Sequence, residues 1–192
     1  MSNVAIGKPK KVSGVVYVAP KGTTLPTDAT AALDPAFVSV GMLSDDGIEN
    51  EPSIDTTDVT EMGGTNALTV VSGYSETLAF TMIETTAAGL KLLYGDGSVT
   101  GTDSTTLTAK HTQPDSTGKV VVCEILMAGW NHVKRLVVPD ATVSDRDSIT
   151  YAASDAVGYG VTLACNADAD GVTMTEYVAP IATSTTSTST GK

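Results

Sequence analysis

The stretch 65–95 constrains the fold more than any other part of the chain, because its residue period changes once along its length. Residues 67–72 are apolar and largely β-branched, and Gly73 interrupts them as a turn or bulge would. After it, apolar residues alternate with small polar ones, which predicts a strand with one buried face. In residues 86–94 apolar side chains fall at helical spacing, a threonine is available as N-cap, and Gly95 ends the run. The stretch therefore predicts a long paired strand followed by one short helix.

Two other segments predict strands with distinct faces. Residues 119–127 are apolar on both alternating sets, which predicts a strand covered on both sides. Glu124 is the exception, and its carboxylate belongs either at a rim or on a face towards a watery channel. Residues 157–165 present one apolar face and one of glycine and small residues, which lets another group approach closely. The chain is predicted to be mainly β: a β-sandwich or partial barrel of about ten strands, with one short flanking helix and a long hairpin.

The length and local composition predict one domain with two appendages. Residues 1–12 form an N-terminal arm with three lysines around a proline, able to clamp an acidic patch on a neighbour or to lie in solvent. Residues 13–181 form the β-domain. Residues 182–192 are a Ser/Thr-rich tail of low complexity that is expected to be flexible.

Charge and cysteine content narrow the classes of partner. The formal net charge is −11, from 11 basic and 22 acidic residues, and this excludes ordinary nucleic-acid binding, which needs a basic surface. Only 17% of residues are charged, which fits a surface largely covered by neighbours. Cys123 and Cys165 lie in apolar strand patterns and are expected to be free thiols. No signal-peptide pattern or long apolar run is seen, so we expect synthesis in the cytoplasm and no membrane insertion.

No pattern of catalytic, metal-binding or cofactor-binding residues emerges. The chain has no CxxC, HExxH, P-loop or GxSxG sequence, and its two histidines, His111 and His132, lie on unlike segments. The polar segment 53–64 carries acidic residues, but their spacing is not that of a calcium-binding loop. We therefore expect no cofactor, no metal and no enzymatic activity.

The order of these segments resembles the major tail tube proteins of long-tailed, siphovirus-type bacteriophages. The resemblance covers roughly residues 14–178 and rests on three runs: VSGVVYVAPKGTTLPTDATAALDPAFVSVGMLSDDGIENEP, GYSETLAFTMIET and TAAGLKLLYG. It implies a structural subunit of the virion tail. Six subunits would close into a ring, each giving four strands to an inner barrel, and stacked rings would conduct DNA during ejection without binding it specifically. Tape-measure, tail terminator and tail-tip proteins would be the partners, with assembly in the host cytoplasm.

Strand parity and the family resemblance together indicate candidate side chains for the lumen and for contacts between subunits. The candidates for the lumen are Glu49, Glu51, Ser75, Thr77, Thr81 and Glu124, although an ordinary solvent-facing surface would show the same parity. A loop in the region 53–64 reaches a neighbouring subunit in the family, which makes Asp55, Asp58 and Glu61 candidates for an inter-subunit loop. Two other functions stay open: another phage β-structural protein, such as a head decoration or collar subunit, and a carbohydrate-binding or adhesin-like module.

Overall fold

A computed structural model describes residues 3–11, 14–113 and 116–181, and its main feature is a large antiparallel sheet. The one α-helix of these residues, α1, spans Ala87–Tyr94. The strands are β1 (Ile6–Pro9), β2 (Val16–Pro20), β3 (Val38–Ser39), β4 (Leu43–Thr60), β5 (Asn66–Met82), β6 (Val99–Thr100), β7 (Thr108–Ala109), β8 (Lys119–Ala128), β9 (His132–Arg146), β10 (Tyr159–Cys165) and β11 (Thr175–Pro180).

Nine of the strands form one sheet, and β6 pairs with β7 separately. The order across the large sheet is β3-β2-β8-β9-β10-β5-β4, with β1 pairing along the free part of β8 and β11 along that of β9. The path is open, since β4 at one end does not pair with the strands at the other. The prediction of a mainly β fold with one short helix and a long hairpin is confirmed.

The strand-to-helix change predicted for the stretch 65–95 is present. Along β5 the side chains alternate, with Leu78, Phe80 and Met82 buried and those between them partly exposed. Helix α1 follows after a short break and packs its leucines and Tyr94 into the same core. Thr86 is the N-cap, because its hydroxyl oxygen accepts a hydrogen bond from the Gly89 amide at 3.0 Å. Gly95 ends the helix with a φ of 88°, a conformation that favours glycine.

Strand β8 is covered on both faces, as its sequence predicts. Val121 and Cys123 face the main core shared with α1, and both cysteines are free and buried. Val120 and Val122 are also buried, on the opposite face. The segment between β2 and β3 contains no helix or strand, and it includes bends in which the Asp28 carboxylate accepts backbone hydrogen bonds from Thr30 and Ala31.

Strand β4 is long and irregular near its start. Residues 44–47 form an irregularity inside it, where the pairing with β5 jumps between Leu43 and Ile48. The polar segment 53–64 is not a loop over most of its length, because β4 continues to Thr60 and the turn occupies only the residues before β5. Residues 148–154 contain no strand. The tail 182–192 lies outside the described residues. No helix among those described is both long and apolar enough to span a membrane.

Candidate functional site

Five of the six predicted lumen residues lie together on one face of the sheet. In antiparallel pairing, residues opposite each other share a face. The register sets Glu49 opposite Ala79 and Glu51 opposite Thr77. It also sets Thr162 of β10 opposite Ala79, and Gly160 opposite Thr81. This surface, on the side away from Leu78 and Phe80, is the open face; its members are Glu49, Glu51, Ser75, Thr77, Ala79, Thr81, Gly160 and Thr162.

The open face is acidic and built from small side chains. Glu49 and Glu51 are exposed, and neither forms an ion pair within the part of the chain that the structure describes. The other residues of the open face carry at most a hydroxyl or a methyl group. The result is a smooth surface of negative potential with no basic group to attract a phosphate.

The small residues of β10 allow a close approach, and the group that approaches is the Asp147 side chain of the same chain. A Cβ added at Gly160 would lie 2.1 Å from a carboxylate oxygen of Asp147 and 2.8 Å from its Cβ. The Asp147 amide donates a hydrogen bond to the Gly160 carbonyl at 3.1 Å. Gly160 therefore leaves room for the Asp147 side chain, just after β9, to lie against β10.

Glu124, the sixth predicted lumen residue, does not belong to the open face. It has the parity of the outer side, but it is only 4% exposed. Its carboxylate accepts hydrogen bonds from the Arg135 guanidinium opposite it on β9 and from Lys10 Nζ at 2.8 Å. Burial alone would raise the pKa of Glu124, but the hydrogen bonds and positive charges of Arg135 and Lys10 hold it below its ordinary value. A buried carboxylate with two cationic partners in its own chain is poorly suited to lining a watery channel.

Arg135 is the residue that sequence reasoning missed. Its side chain is 1% exposed and ties the segment between β2 and β3 to the sheet, donating to the carbonyls of Asp28 at 2.6 Å and Ala31 at 2.7 Å. The covered face is this part of the outer surface, on β8 and β9, beneath residues 21–37. The sequence contained a signal for the pairing of Arg135 with Glu124. A turn near residues 129–131 sets Met127 opposite His132 and, by counting outward, Glu124 opposite Arg135.

The hairpin of β4 and β5 extends well beyond the rest of the sheet. Strand β10 pairs with β5 only as far as Thr77, so residues 53–75, the projecting hairpin, have no third strand. Its arms are about 25 Å long at 3.3 Å per residue. Nearly all of its side chains are exposed, including large apolar ones: Ile54, Val59, Met62, Leu68, Val70, Val71 and Tyr74.

The three acids predicted for an inter-subunit loop are on this hairpin. Asp55 and Asp58 lie in β4, and Asp58 accepts a cross-strand hydrogen bond from the Thr69 hydroxyl at 2.6 Å. Glu61 lies in the turn, where its carboxylate accepts from the amides of Gly63 and Thr65, and these bonds lower its pKa. The predicted loop is thus a strand pair with a short acidic tip.

A concave site lies near α1. A cavity of about 470 Å³ is bordered by Tyr94, His111 and Arg146. His111 stacks on the Tyr94 ring with centroids 4.2 Å apart, and the Arg146 guanidinium lies 5.5 Å from the same ring. Among the described residues no group of three or more His, Cys, Asp or Glu side chains is arranged to hold a metal ion.

Comparison with known proteins identifies the family. A family model described as phage tail tube protein matches residues 11–188 of the chain. The chain belongs to the phage tail tube protein family. It is accordingly a structural protein of the virion tail. No curated protein matches the chain.

Several solved structures are similar to this tail tube protein at low sequence identity. A chain of the anti-feeding prophage cap, the AFP tube terminating cap, is 10% identical; the alignment covers 93% of this chain and 97% of that one, with a TM-score of 0.47. A chain from the virion of the native gene transfer agent particle is 12% identical, with coverage of 82% and 92% and a TM-score of 0.42. A chain of the PVC sheath-tube complex of an extracellular contractile injection system, in the extended state, is 10% identical, with coverage of 94% and 98% and a TM-score of 0.41.

Proposed function

We propose that this tail tube protein forms stacked six-membered rings in a long, siphovirus-type tail, and that the lumen of the rings conducts DNA during ejection. The projecting hairpin is the observation that carries the proposal. An isolated two-stranded hairpin is marginally stable in water, and residues 53–75 have neither a third strand nor a core to support them. Their exposed apolar side chains call for partner surfaces that only an assembly supplies.

The open ends of the sheet support ring closure. Strand β4 pairs only with β5, which leaves its outer edge unpaired within the described chain. Unpaired edges of this length promote uncontrolled association unless they are covered, and closing the sheets of several subunits into one barrel removes them.

The open face is our candidate for the lumen wall. Glu49, Glu51, Ser75, Thr77 and Thr81 would line the channel, while Glu124 is withdrawn from that role. A carboxylate and a phosphate about 8 Å apart in water repel by roughly 0.5 kcal/mol before screening. Because the Debye length at physiological salt is also about 8 Å, only phosphates near the wall would feel this repulsion. Summed over many rings, it would keep the duplex centred without holding it anywhere.

In the particle, the tube subunit would meet several other proteins. Tape-measure, tail terminator and tail-tip proteins are the partners expected for such a tube, and its assembly would take place in the host cytoplasm. The three acidic residues of the projecting hairpin, Asp55, Asp58 and Glu61, would lie at an inter-subunit contact.

Negative-stain microscopy of the purified protein tests assembly. We expect rings or tubes of uniform diameter with sixfold end views at high concentration, alone or with tape-measure and tip proteins. The informative variant replaces residues 55–73 by an Asn-Gly turn: it should stay folded, because this segment contributes nothing to the core, and it should fail to form tubes. A strictly monomeric wild-type protein under all these conditions would contradict the proposal.

DNA ejection from assembled particles tests the lumen. Glu49→Lys with Glu51→Lys should slow ejection or make tubes retain DNA, most strongly at low salt where screening is weakest. The control is Asp168→Lys with Asp170→Lys, which makes the same charge change on an exposed turn that is not part of the open face. Native ejection rates for the first variant at low salt would remove these two residues from the lumen.

A further inference from the structure

The hairpin strands carry a strong charge imbalance. Between Leu43 and Met82 the sequence contains no lysine or arginine, and its acidic residues are Asp45, Asp46, Glu49, Glu51, Asp55, Asp58, Glu61 and Glu76. None of them forms an ion pair within the described part of the chain. Such a segment repels itself and is suited to a partner that supplies positive charge.

The projecting hairpin is also apolar on both sides. Its register pairs Ile54 with Tyr74 on the side of the core, and Val59 with Leu68 on the side of the open face. All four are more than half exposed. The partner of the hairpin should therefore present apolar side chains together with cations.

The N-terminal arm of the same chain has both properties. Val4 and Ile6 are 79% and 68% exposed, and all four residues of β1 are exposed. Lys8 and Lys11 are exposed, and neither forms an ion pair among the described residues. Lys10, between them, is bound to Glu124, which fixes the arm to the body.

Most other lysines in the described chain are already neutralised. Lys21 pairs with Asp140, Lys119 with Asp96, and Lys134 with Glu176. Lys91 and Lys110 stand singly on separate segments. The arm is therefore the one place in the described residues where two exposed, uncompensated lysines lie close together in sequence beside exposed apolar residues.

Within one chain, the N-terminal arm and the projecting hairpin are too far apart to contact each other. Strand β1 lies along β8, and β9, β10 and β5 separate β8 from β4. At the usual strand spacing this is about 19 Å along the sheet, and the hairpin projects further still. The two surfaces differ, so a contact between them in separate copies is head-to-tail, the kind that generates rings and tubes.

We propose that the acidic projecting hairpin of one copy docks on the N-terminal arm of a second copy, with Lys8 and Lys11 facing Asp55 and Asp58 and the exposed apolar residues of both segments in contact. The proposal rests on the assembly proposed above and names the surfaces that meet.

A charge-exchange experiment tests the contact. Lys8→Glu with Lys11→Glu (the arm variant) and Asp55→Lys with Asp58→Lys (the hairpin variant) each place like charges together. Each alone should raise the concentration needed for tube formation by about tenfold or more, most strongly at low salt. Mixed in equal amounts, the two should co-assemble near the wild-type concentration, because every arm can then meet a hairpin of opposite charge. Lys110→Glu, an exposed cation away from the arm, should assemble normally.

The outcomes separate this contact from the assembly itself. Thermal unfolding of each unassembled variant should match the wild type, so that a failure to assemble is not a failure to fold. If wild-type protein forms tubes and the arm variant does so equally well, the docking partner is wrong and the tube function stands. If both variants are defective but the mixture is not restored, the arm and hairpin do not contact each other. A wild-type chain that never assembles would overturn both proposals.

Discussion

The two halves of the outer sheet surface carry glutamates of the same strand parity, but the glutamates differ in exposure and in pairing. On the open face, Glu49 and Glu51 are exposed and unpaired in the described chain. On the covered face, Glu124 is buried, bound to Arg135 and Lys10, and roofed by the segment between β2 and β3. Parity therefore decides which side of a sheet a residue faces, and only the neighbouring elements decide whether that side meets water.

The largest effect should come from breaking the covered face. Replacing Arg135 by Met leaves Glu124 with one buried partner fewer and frees the carbonyls of Asp28 and Ala31. Removing one member of a buried ion pair costs about 3 kcal/mol or more of unfolding free energy. Urea unfolding of the unassembled protein measures it.

Arg146→Met is the matched control for this prediction, since it makes the same replacement near the other end of β9. Arg146 is exposed and makes one hydrogen bond of 3.3 Å and a cation–π contact, so the loss should stay below about 1 kcal/mol. Equal losses for the two variants would mean that Arg135 does not hold the covered face together.

A smaller effect is expected where the open face meets the segment after β9. Gly160→Ala adds a Cβ about where the Asp147 carboxylate lies, and such overpacking costs about 1–3 kcal/mol of unfolding free energy. Removing the Asp147 side chain in Gly160→Ala/Asp147→Gly should recover most of the loss. Gly97→Ala, where no atom lies within 4 Å of the added carbon, is the control. An unchanged melting temperature for Gly160→Ala would show that Asp147 does not pack there.

The sequence predicted local pattern well because local pattern is set by neighbouring residues. The alternation in β5, the Thr86 cap and the Gly95 stop all depend on residues a few positions apart. The cover over Glu124 depends on Arg135 and Ala31, which are 104 positions apart, and no local pattern encodes that contact. Likewise residues 53–60 lack apolar alternation, so their strand is visible only through pairing with β5.

The pH dependence of stability should also differ between the two halves. The pKa of Glu124 is below its ordinary value of 4.5 in the folded chain, so its contribution is complete above that pH and is lost as the pH falls through the folded value. Glu124→Gln should therefore flatten the loss of stability below about pH 4.5, the ordinary glutamate value. Glu49→Gln, on the open face, is the matched control, because it removes a carboxylate that forms no ion pair in the described chain. Identical acid limbs for wild type and Glu124→Gln would contradict the pairing.

The smallest energetic change gives the sharpest test of what the open face meets. Thr77→Cys puts a thiol on that face and should alter stability by less than about 0.5 kcal/mol, as surface substitutions do. The native thiols should stay silent near neutral pH, because burial raises the pKa of Cys123 and of Cys165 to about 12. In the unassembled protein, small and bulky maleimides should both label the introduced thiol at similar rates. In tubes the bulky reagent should be excluded while the small one still reacts. A thiol introduced as Thr112→Cys, on an exposed segment off the open face, is the comparison site. If the bulky reagent reached the Thr77→Cys thiol in intact tubes as fast as in free subunits, the open face would lie on the outside of the tube, and the acidic glutamates beside it would have no contact with DNA.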